Sequence, residues 1–202
     1  MTSLKYSMSF TTGALFYHES LQIAELYIST RQWGEVRNAV ISGNIIKSRT
    51  INSLNRITNE IISRVKTLNK QEIQFLAEAA YQEQGYLLWL AVCRRYAFIA
   101  DFAVDIVNGN FATLKNIVTH EDYNTFFNKK AEWHSELDRI TLSTKNKLRQ
   151  TLFRMMQEAS LLDKNGAIIP IIPSAAFREI IASAKQHEAL FFPISELTRS
   201  AG

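Results

Sequence analysis

Apolar residues recur at steps of three and four between Ile51 and Leu68, and this spacing constrains the fold more than any other feature of the chain. Such a period places a buried stripe along one side of an α-helix. The stripe consists of Ile51, Leu54, Ile57, Ile61, Ile62, Val65 and Leu68. A shorter amphipathic helix is predicted from Trp33 to Ser42, and Gly43-Asn44 supplies a turn between the two. This order predicts a helix-turn-helix-like element.

The side of the second helix opposite the stripe carries Asn, Ser and Arg, where a helix that only needs solubility would carry Glu and Lys. Asn costs roughly 0.5 kcal/mol against Ala at a helical position, so the asparagines require another explanation. Asn and Arg match the hydrogen-bonding groups of adenine and guanine edges and of phosphates. A solvated face without a partner is the alternative. The candidate DNA-binding residues are Lys47, Arg49, Asn52, Asn55, Arg56, Asn59 and Lys66.

The net charge of +4 is unevenly distributed along the chain. Residues 31–70 hold eight Lys or Arg and two acids, residues 139–154 hold five Lys or Arg and no acid, and residues 71–138 hold five bases and ten acids. Two basic segments around an acidic middle are typical of two phosphate-contacting patches on a neutralised scaffold. Ordinary solvated faces explain the runs less well, because each run coincides with a helix-turn-helix-like pattern.

A second helix-turn-helix-like or winged-helix-like element is predicted at residues 143–183. A hydroxyl cap at Ser143-Thr144 begins its first helix. The first two turns of that helix carry Lys145, Lys147 and Arg149. Cations at a helix N-terminus oppose the helix dipole, so we expect an external anion such as a phosphate backbone at this patch. A turn at residues 163–166 and two prolines then predict at most a short extended wing near residues 167–173.

The whole pattern predicts an all-α protein with a single helical domain over residues 1–202. We divide it into an N-terminal lobe of about residues 13–84 and a C-terminal lobe of about residues 85–202. The most apolar stretch, residues 86–107, is predicted as one core helix, because charged residues interrupt it too often for a membrane span. A short helix is expected at residues 111–118. One cysteine and no apolar leader indicate a cytoplasmic protein without a membrane segment.

No catalytic or metal-binding constellation is recognisable, which predicts a protein that is not an enzyme and uses no cofactor, metal or small-molecule substrate. The four histidines are scattered, and His134 with Asp138 lacks the further ligands that a metal needs. Asp101 and Asp105 follow Arg94-Arg95 on the predicted core helix. A structural salt bridge or an exposed face explains these two carboxylates.

A series of short motifs is spaced along residues 9–183. They are Ser9-Phe10-Thr11-Thr12-Gly13-Ala14-Leu15, Glu19-Ser20 with Ile23-Ala24, Trp33 with Asn44, Arg49 and Arg56, Asp101-Phe102, Ser143-Thr144, Lys147-Leu148 and Glu158-Ala159. In their order and spacing these motifs resemble the BrxA family of bacteriophage exclusion (BREX) phage-defence systems. Ser160 stands where the family often has Gly, which affects only the local helix end.

The resemblance implies a small, all-helical, non-enzymatic component of a multi-gene defence system, with helix-turn-helix-like elements that bind double-stranded DNA. It also implies other BREX subunits as candidate partners: a DNA methyltransferase, an ATPase and a phosphatase-like protein. Two alternatives stay open: a scaffold whose basic faces dock an acidic partner subunit, and an RNA-binding bundle like an antitermination factor. The RNA alternative lacks exposed aromatic residues interleaved with the basic ones. For DNA we expect weak sequence preference and strong salt dependence.

Overall fold

The structure of the protein is a computed structural model that describes residues 5–183, residue 185 and residues 187–194. Over these residues the chain forms helices joined by turns and short extended segments. Isolated bridges are the only β-structure in the described part of the chain. The predicted all-α class is confirmed.

Two compact units divide the chain. The first unit is Leu15–Arg95, and the second unit joins the residues up to Ala14 to those from Tyr96 onward. The second unit is therefore made of two separate segments of the chain, and the first unit is the continuous segment between them. The lobe boundary expected between residues 84 and 85 falls inside a helix of the first unit.

Five helices form the first unit. They are α1 (Tyr17–Thr30), α2 (Trp33–Ser42), α3 (Ile51–Val65), α4 (Lys70–Glu78) and α5 (Tyr81–Arg95). Helix α3 begins after Thr50, whose side chain accepts a hydrogen bond from the backbone N–H of Ser53 at 3.2 Å. Such a cap satisfies an N–H group that a helix start leaves unpaired. The expected apolar stripe of α3 is buried, except that Ile57 is half-buried and Ile51 is 59% exposed.

Helix α5 is the core of the first unit, because every residue from Gly85 to Cys93 is buried. A helix that is apolar on all sides must be enclosed by its neighbours, and α5 packs against α1, α3 and α4. The prediction of one helix over residues 86–107 is wrong, because α5 ends at Arg95 and Tyr96 has an extended backbone with φ −127°. The buried ring of Tyr96 packs edge-on to Phe10, with centroids 5.3 Å apart. Because Tyr96 packs in this way, α5 does not continue toward residue 107.

A buried ion pair joins α4 to α5. Glu72 is 1% exposed and accepts two hydrogen bonds from the Arg94 guanidinium, 2.6 Å and 2.8 Å long. The Glu72 carboxylate also accepts from the backbone N–H of Asn69 at 2.7 Å, which completes a capping box at the start of α4. Arg94 donates in addition to the carbonyl oxygen of Thr67 at 3.1 Å. The pair therefore also fixes the chain that leaves α3.

The second unit is built from shorter helical segments. They are α6 (Ala97–Phe102), a π-helical segment (Ala103–Asn108), α7 (Gly109–Ala112), α8 (His120–Ala131), α9 (Ser135–Asp138), α10 (Leu142–Glu158), α11 (Ala175–Ser183) and a 3₁₀ turn (Glu188–Phe191). Aromatic rings fill its core. The ring of Phe98 has three aromatic neighbours on α8 within 6.1 Å, measured between centroids. These contacts hold α6 and α8 together.

Two carboxylates of the second unit have a structural role. Asp101 accepts a hydrogen bond from the Tyr6 hydroxyl and another, 2.8 Å long, from the ammonium of Lys130 on α8. The same ammonium lies 3.3 Å from a carboxylate oxygen of Asp105. Both explanations offered for this pair apply, because Lys130 forms the salt bridge while the side chains of Asp101 and Asp105 stay 41% and 52% exposed. Arg94 is paired with Glu72 instead. The backbone N–H of Tyr6 donates to Glu136 at 2.6 Å, so the N-terminal segment is held at two points.

Helix α8 begins with a capping box between Thr119 and Asp122. The Asp122 carboxylate accepts from the backbone N–H of Thr119 at 2.8 Å and from the Lys115 ammonium at 2.6 Å. Burial by itself raises the pKa of Asp122, but the hydrogen bonds from Lys115 and Thr119 outweigh burial and lower that pKa below its ordinary value. The charged carboxylate therefore stabilises the start of α8.

An extended run follows α10. Leu162 and Ile168 form an antiparallel bridge across the turn at residues 163–166, and Ile171 forms a parallel bridge with Ile194. The short extended segment expected near residues 167–173 is therefore present, as isolated bridges and not as a strand.

The prediction of a helix at residues 111–118 is wrong. Helix α7 ends at Ala112, and the backbone N–H of Val118 donates to the carbonyl oxygen of Gly166 at 2.8 Å. Gly166 has φ +85°, and a Cβ at this position would lie 2.5 Å from the carbonyl oxygen of Val118. Only glycine allows the two segments to approach this closely. The backbone at Val118 thus pairs with the loop at residues 163–166, and the helix expected at residues 111–118 does not form.

Candidate nucleic-acid interface

Helices α2 and α3 pack against each other but are joined by a longer connection than the sequence indicates. Residues 43–50 lie between them, whereas a helix-turn-helix uses about three or four residues. Asn44 organises this loop, because its side-chain oxygen accepts from the backbone N–H of Ser48 at 3.0 Å and its amide donates to the carbonyl oxygen of Ser48 at 3.1 Å. The turn expected at Gly43-Asn44 is the first part of an ordered loop.

Three cations project from this loop and from the first turns of α3. Lys47, Arg49 and Arg56 are exposed, and none has an ion-pair or hydrogen-bond partner among the residues that the structure describes. No acidic residue lies in the first turn of α3. The cations therefore add to the positive end of the α3 dipole. This arrangement attracts anions.

Two of the three asparagines expected to reach base edges are engaged within the unit. Arg37 of α2 donates through Nη2 to Oδ1 of Asn55 at 2.9 Å and through Nε to Oδ1 of Asn59 at 3.1 Å. The Asn55 amide donates to the carbonyl oxygen of Ile51 at 3.0 Å. Asn52 is exposed and has no partner among the described residues. Asn52 is thus the asparagine whose amide is fully available.

Sequence patterns did not identify a pocket between α2 and α3. The pocket has a volume of about 310 Å³ and is lined by Trp33, Gly34, Arg37, Asn59, Ile62, Ser63 and Lys66. The Trp33 ring stacks on Tyr27, with centroids 4.0 Å apart, and the Lys66 ammonium lies 5.5 Å from the Trp33 ring centroid. A partial signal existed, because Trp33 and Arg37 are one helical turn apart on α2. Which residues of α3 line the pocket depends on how α2 and α3 pack, and a sequence pattern does not give this.

Two of the three cations expected at the start of α10 are bonded to α8. Lys145 donates to Oδ1 of Asn128 at 2.7 Å, and Arg149 donates through Nη1 to Oδ1 of Asn124 at 3.2 Å. Because the partners advance by one turn on one helix and go back by one turn on the other, α8 and α10 run antiparallel here. Lys147 is exposed and has no partner in the described part of the chain.

Lys145 is less accessible to a phosphate than an exposed lysine, because it is half-buried and bonded to α8. Its ammonium lies 4.4 Å from the ring centroid of Phe127. Burial lowers the pKa of Lys145, and the neighbouring charge of Arg149 lowers it further. The second patch therefore offers Lys147 as its accessible cation.

The described residues contain no group of three or more side chains placed to hold a metal ion. His134, considered above with Asp138, stacks on the Tyr6 ring with centroids 3.9 Å apart, and its Nδ1 lies 3.1 Å from a carboxylate oxygen of Glu136. His134 thus has a packing role. None of the helices over the described ranges combines the length and the apolar character that crossing a bilayer requires.

Comparison with known proteins adds a sequence relationship to this geometry. A family model described as BrxA matches residues 4–185. A protein of Escherichia coli O9:H4 (strain HS) named "BREX protein BrxA" is 26% identical over 151 residues, which cover 75% of this chain and 71% of that protein. A protein of Bacillus cereus (strain H3081.97) with the same name is 20% identical over 157 residues, which cover 78% of each.

The fold is also found in a solved structure. A crystal structure of an uncharacterized protein from Magnetospirillum magneticum matches with a TM-score of 0.79 and 16% sequence identity. The match covers 95% of this chain and 99% of the other. At this level of identity the likeness establishes the fold alone.

Proposed function

The chain belongs to the BrxA family, and on that premise we propose that it is a non-enzymatic, cytoplasmic component of a BREX phage-defence system that binds double-stranded DNA. The binding surface is the cationic surface, which we define as Lys47, Arg49 and Arg56 with the exposed amide of Asn52. All four side chains lie on the loop before α3 or on its first two turns.

One observation supports this proposal above the others: the three cations of this surface are exposed and have no acidic partner among the described residues. An unpaired surface cation gains little within the protein, but it neutralises a DNA phosphate and releases a counterion. Three such contacts predict a slope of about −2.7 for log affinity against log salt, at about 0.9 per phosphate.

The proposed binding depends mainly on the DNA backbone. Because Asn55 and Asn59 accept hydrogen bonds from Arg37, Asn52 is the asparagine of α3 left to reach a base edge. One base-reading side chain supplies little discrimination, since a good base contact contributes about 1–3 kcal/mol. We therefore expect weak sequence preference.

The experiment that tests this proposal is fluorescence anisotropy with a labelled duplex over a series of salt concentrations. Arg49→Glu and Arg56→Glu should each weaken binding by about tenfold or more at low salt, because each reverses a phosphate contact. Lys70→Glu is the matched control, since it makes the same charge change at an exposed position of α4 in the same unit. Affinity that does not depend on salt, or equal losses in all three variants, would refute DNA binding by this surface.

Other BREX subunits are a second class of proposed partner, because both named relatives are BREX proteins. An acidic subunit would be attracted by the same cations. Co-purification with the products of a BREX gene cluster distinguishes DNA binding from a scaffold role. If the protein is a scaffold, Arg49→Glu should lose a co-purifying subunit, and the isolated wild-type protein should have no affinity for duplex DNA. Competition by single strands and by RNA tests the helical RNA-binder alternative in the same assay.

A further inference from the structure

The pocket between α2 and α3 presents hydrogen-bond donors and no carboxylate among the described residues that line it. Arg37 uses Nε and Nη2 for the two asparagines, so its Nη1 has no acceptor among the described residues. Asn59 gives its oxygen to Arg37, which leaves its Nδ2 group as a donor. The Lys66 ammonium is the third donor, on the Trp33 side of the pocket. Two of these three groups carry a positive charge.

Three separate donors from two helices suit a phosphoryl group. Its several oxygens accept hydrogen bonds from different directions, and charge-assisted hydrogen bonds are the strong ones. A volume of about 310 Å³ is at the lower end of the range for small-ligand pockets, roughly 300–1,000 Å³. There is accordingly room for the sugar to which the phosphate is joined. The Trp33 ring, supported from behind by Tyr27, and Ile62 supply the apolar wall for that sugar.

We propose that this pocket holds one backbone phosphoryl group of duplex DNA, with the attached deoxyribose against Trp33. This inference rests on the proposed DNA binding and adds a defined contact to it. The C-terminal half of α3 then follows the DNA backbone, while Asn52 on its first turn faces the bases. Asn59 accordingly contacts a phosphate and reads no base.

Gly34 allows a test that does not depend on removing a stabilising side chain. A Cβ at Gly34 would meet no atom within 4 Å, and the residue lies on the pocket wall in the first turn of α2. Gly34→Glu places a carboxylate in the pocket, and Gly34→Gln is its uncharged isostere. Both are better helix formers than Gly, and Glu also suits a helix N-terminus. Lys66→Gln replaces the charged donor with an uncharged amide, and Lys70→Gln is its control on α4.

The first measurement titrates inorganic phosphate and follows the indole N–H signals by NMR. The chain has three tryptophans, and Trp33→Phe identifies the signal of Trp33. Phosphate should shift this signal in the wild type and in Lys70→Gln, and Gly34→Gln is the uncharged reference of equal size against which Gly34→Glu is compared. The shift should be absent in Gly34→Glu and weakened in Lys66→Gln.

The second measurement is duplex binding against salt concentration. Gly34→Glu should bind about tenfold more weakly than Gly34→Gln, and its log–log salt slope should be shallower by about 0.9, the value for one phosphate. A dumbbell duplex without free ends should bind as tightly as a linear one. Loss of binding to the dumbbell, with tighter binding to 5′-phosphorylated than to 5′-hydroxyl ends, would overturn the proposal, because the ligand would then be a terminal phosphate.

The outcomes separate the pocket from the cationic surface. If phosphate leaves the Trp33 signal unchanged and Gly34→Glu binds DNA like Gly34→Gln, the pocket inference is overturned while DNA binding by Lys47, Arg49 and Arg56 stands. If the wild type has no affinity for duplex DNA, the proposed function fails together with the DNA assignment of the pocket, whether or not phosphate shifts the Trp33 signal.

Discussion

The two members of the Glu72–Arg94 ion pair should differ in what their removal costs. The Glu72 side chain is 1% exposed and that of Arg94 is 17% exposed. Breaking a buried pair costs about 3–5 kcal/mol, largely because the remaining charge loses its compensation. Glu72→Gln leaves a partly solvated guanidinium and keeps the capping box, since Gln also serves at that position, so we expect a cost of about 3 kcal/mol. Arg94→Met leaves a buried carboxylate, and we expect about 5 kcal/mol.

The double variant tests the cause of this difference. In Glu72→Gln combined with Arg94→Met neither side chain carries a charge, so no buried carboxylate is left without compensation. The double variant should therefore be more stable than Arg94→Met alone, although it carries one more substitution. Such strong non-additivity is expected only for groups in direct contact.

Urea unfolding followed by tryptophan fluorescence measures these costs. Trp133, which is 79% exposed, belongs to the second unit, whereas Trp33 and Trp89 belong to the first. In a Trp133→Phe background the fluorescence consequently reports on the first unit, and the midpoint and slope give the free energy of unfolding. A cost of Arg94→Met no larger than that of Glu72→Gln would refute the argument. So would costs below about 1 kcal/mol for both, the range of surface pairs.

Three further predictions have defined outcomes. Asp122→Asn removes a carboxylate whose pKa is lowered in the folded state. The charged carboxylate stabilises the fold fully above its unfolded pKa of about 3.9, and this stabilisation is lost as the pH falls through the lower folded pKa. The melting temperatures of wild type and variant should therefore converge only in acid. Gly166→Ala should cost about 1–3 kcal/mol in thermal unfolding, because its Cβ would lie 2.5 Å from the carbonyl oxygen of Val118 at φ +85°. Lys147→Gln should weaken duplex binding more than Lys145→Gln, because Lys147 is exposed and has no partner among the described residues whereas Lys145 is bonded to Asn128. The reverse order in anisotropy would contradict the structure of this patch.

Helical periodicity was enough to predict α2 and α3 of the first unit. The α3 stripe is a local pattern, and its burial follows from the spacing of residues such as Leu54, Ile61 and Val65. The break after α5 could not be predicted in this way. It depends on the ring of Tyr96 packing against Phe10, which is far away in the sequence. Helix ends set by such distant contacts leave no periodic signal.

The candidate site shows the same division between local and tertiary information. Exposure of Arg49 and Arg56 follows from a polar loop and a polar helix face. The engagement of Asn55 by Arg37, and that of Asn128 by Lys145, requires knowledge of which helices are neighbours and in what register. A sequence pattern shows which side of a helix is polar, whereas the hydrogen-bond partner on the next helix is fixed only by packing.

The N-terminal segment has a consequence for how the protein is made. Tyr6 bonds through its hydroxyl to a residue 95 positions later and through its backbone N–H to one 130 positions later. During synthesis the segment around Tyr6 therefore precedes both of its partners, and it can form these bonds only after the whole of Leu15–Arg95 has been synthesised. A chain released before Tyr96 would leave the rings of Tyr6 and Phe10 without the aromatic partners that cover them in the folded protein, and chaperones and proteases recognise such exposed apolar surface. Burial of these two rings therefore requires both of the chain segments that make up the second unit.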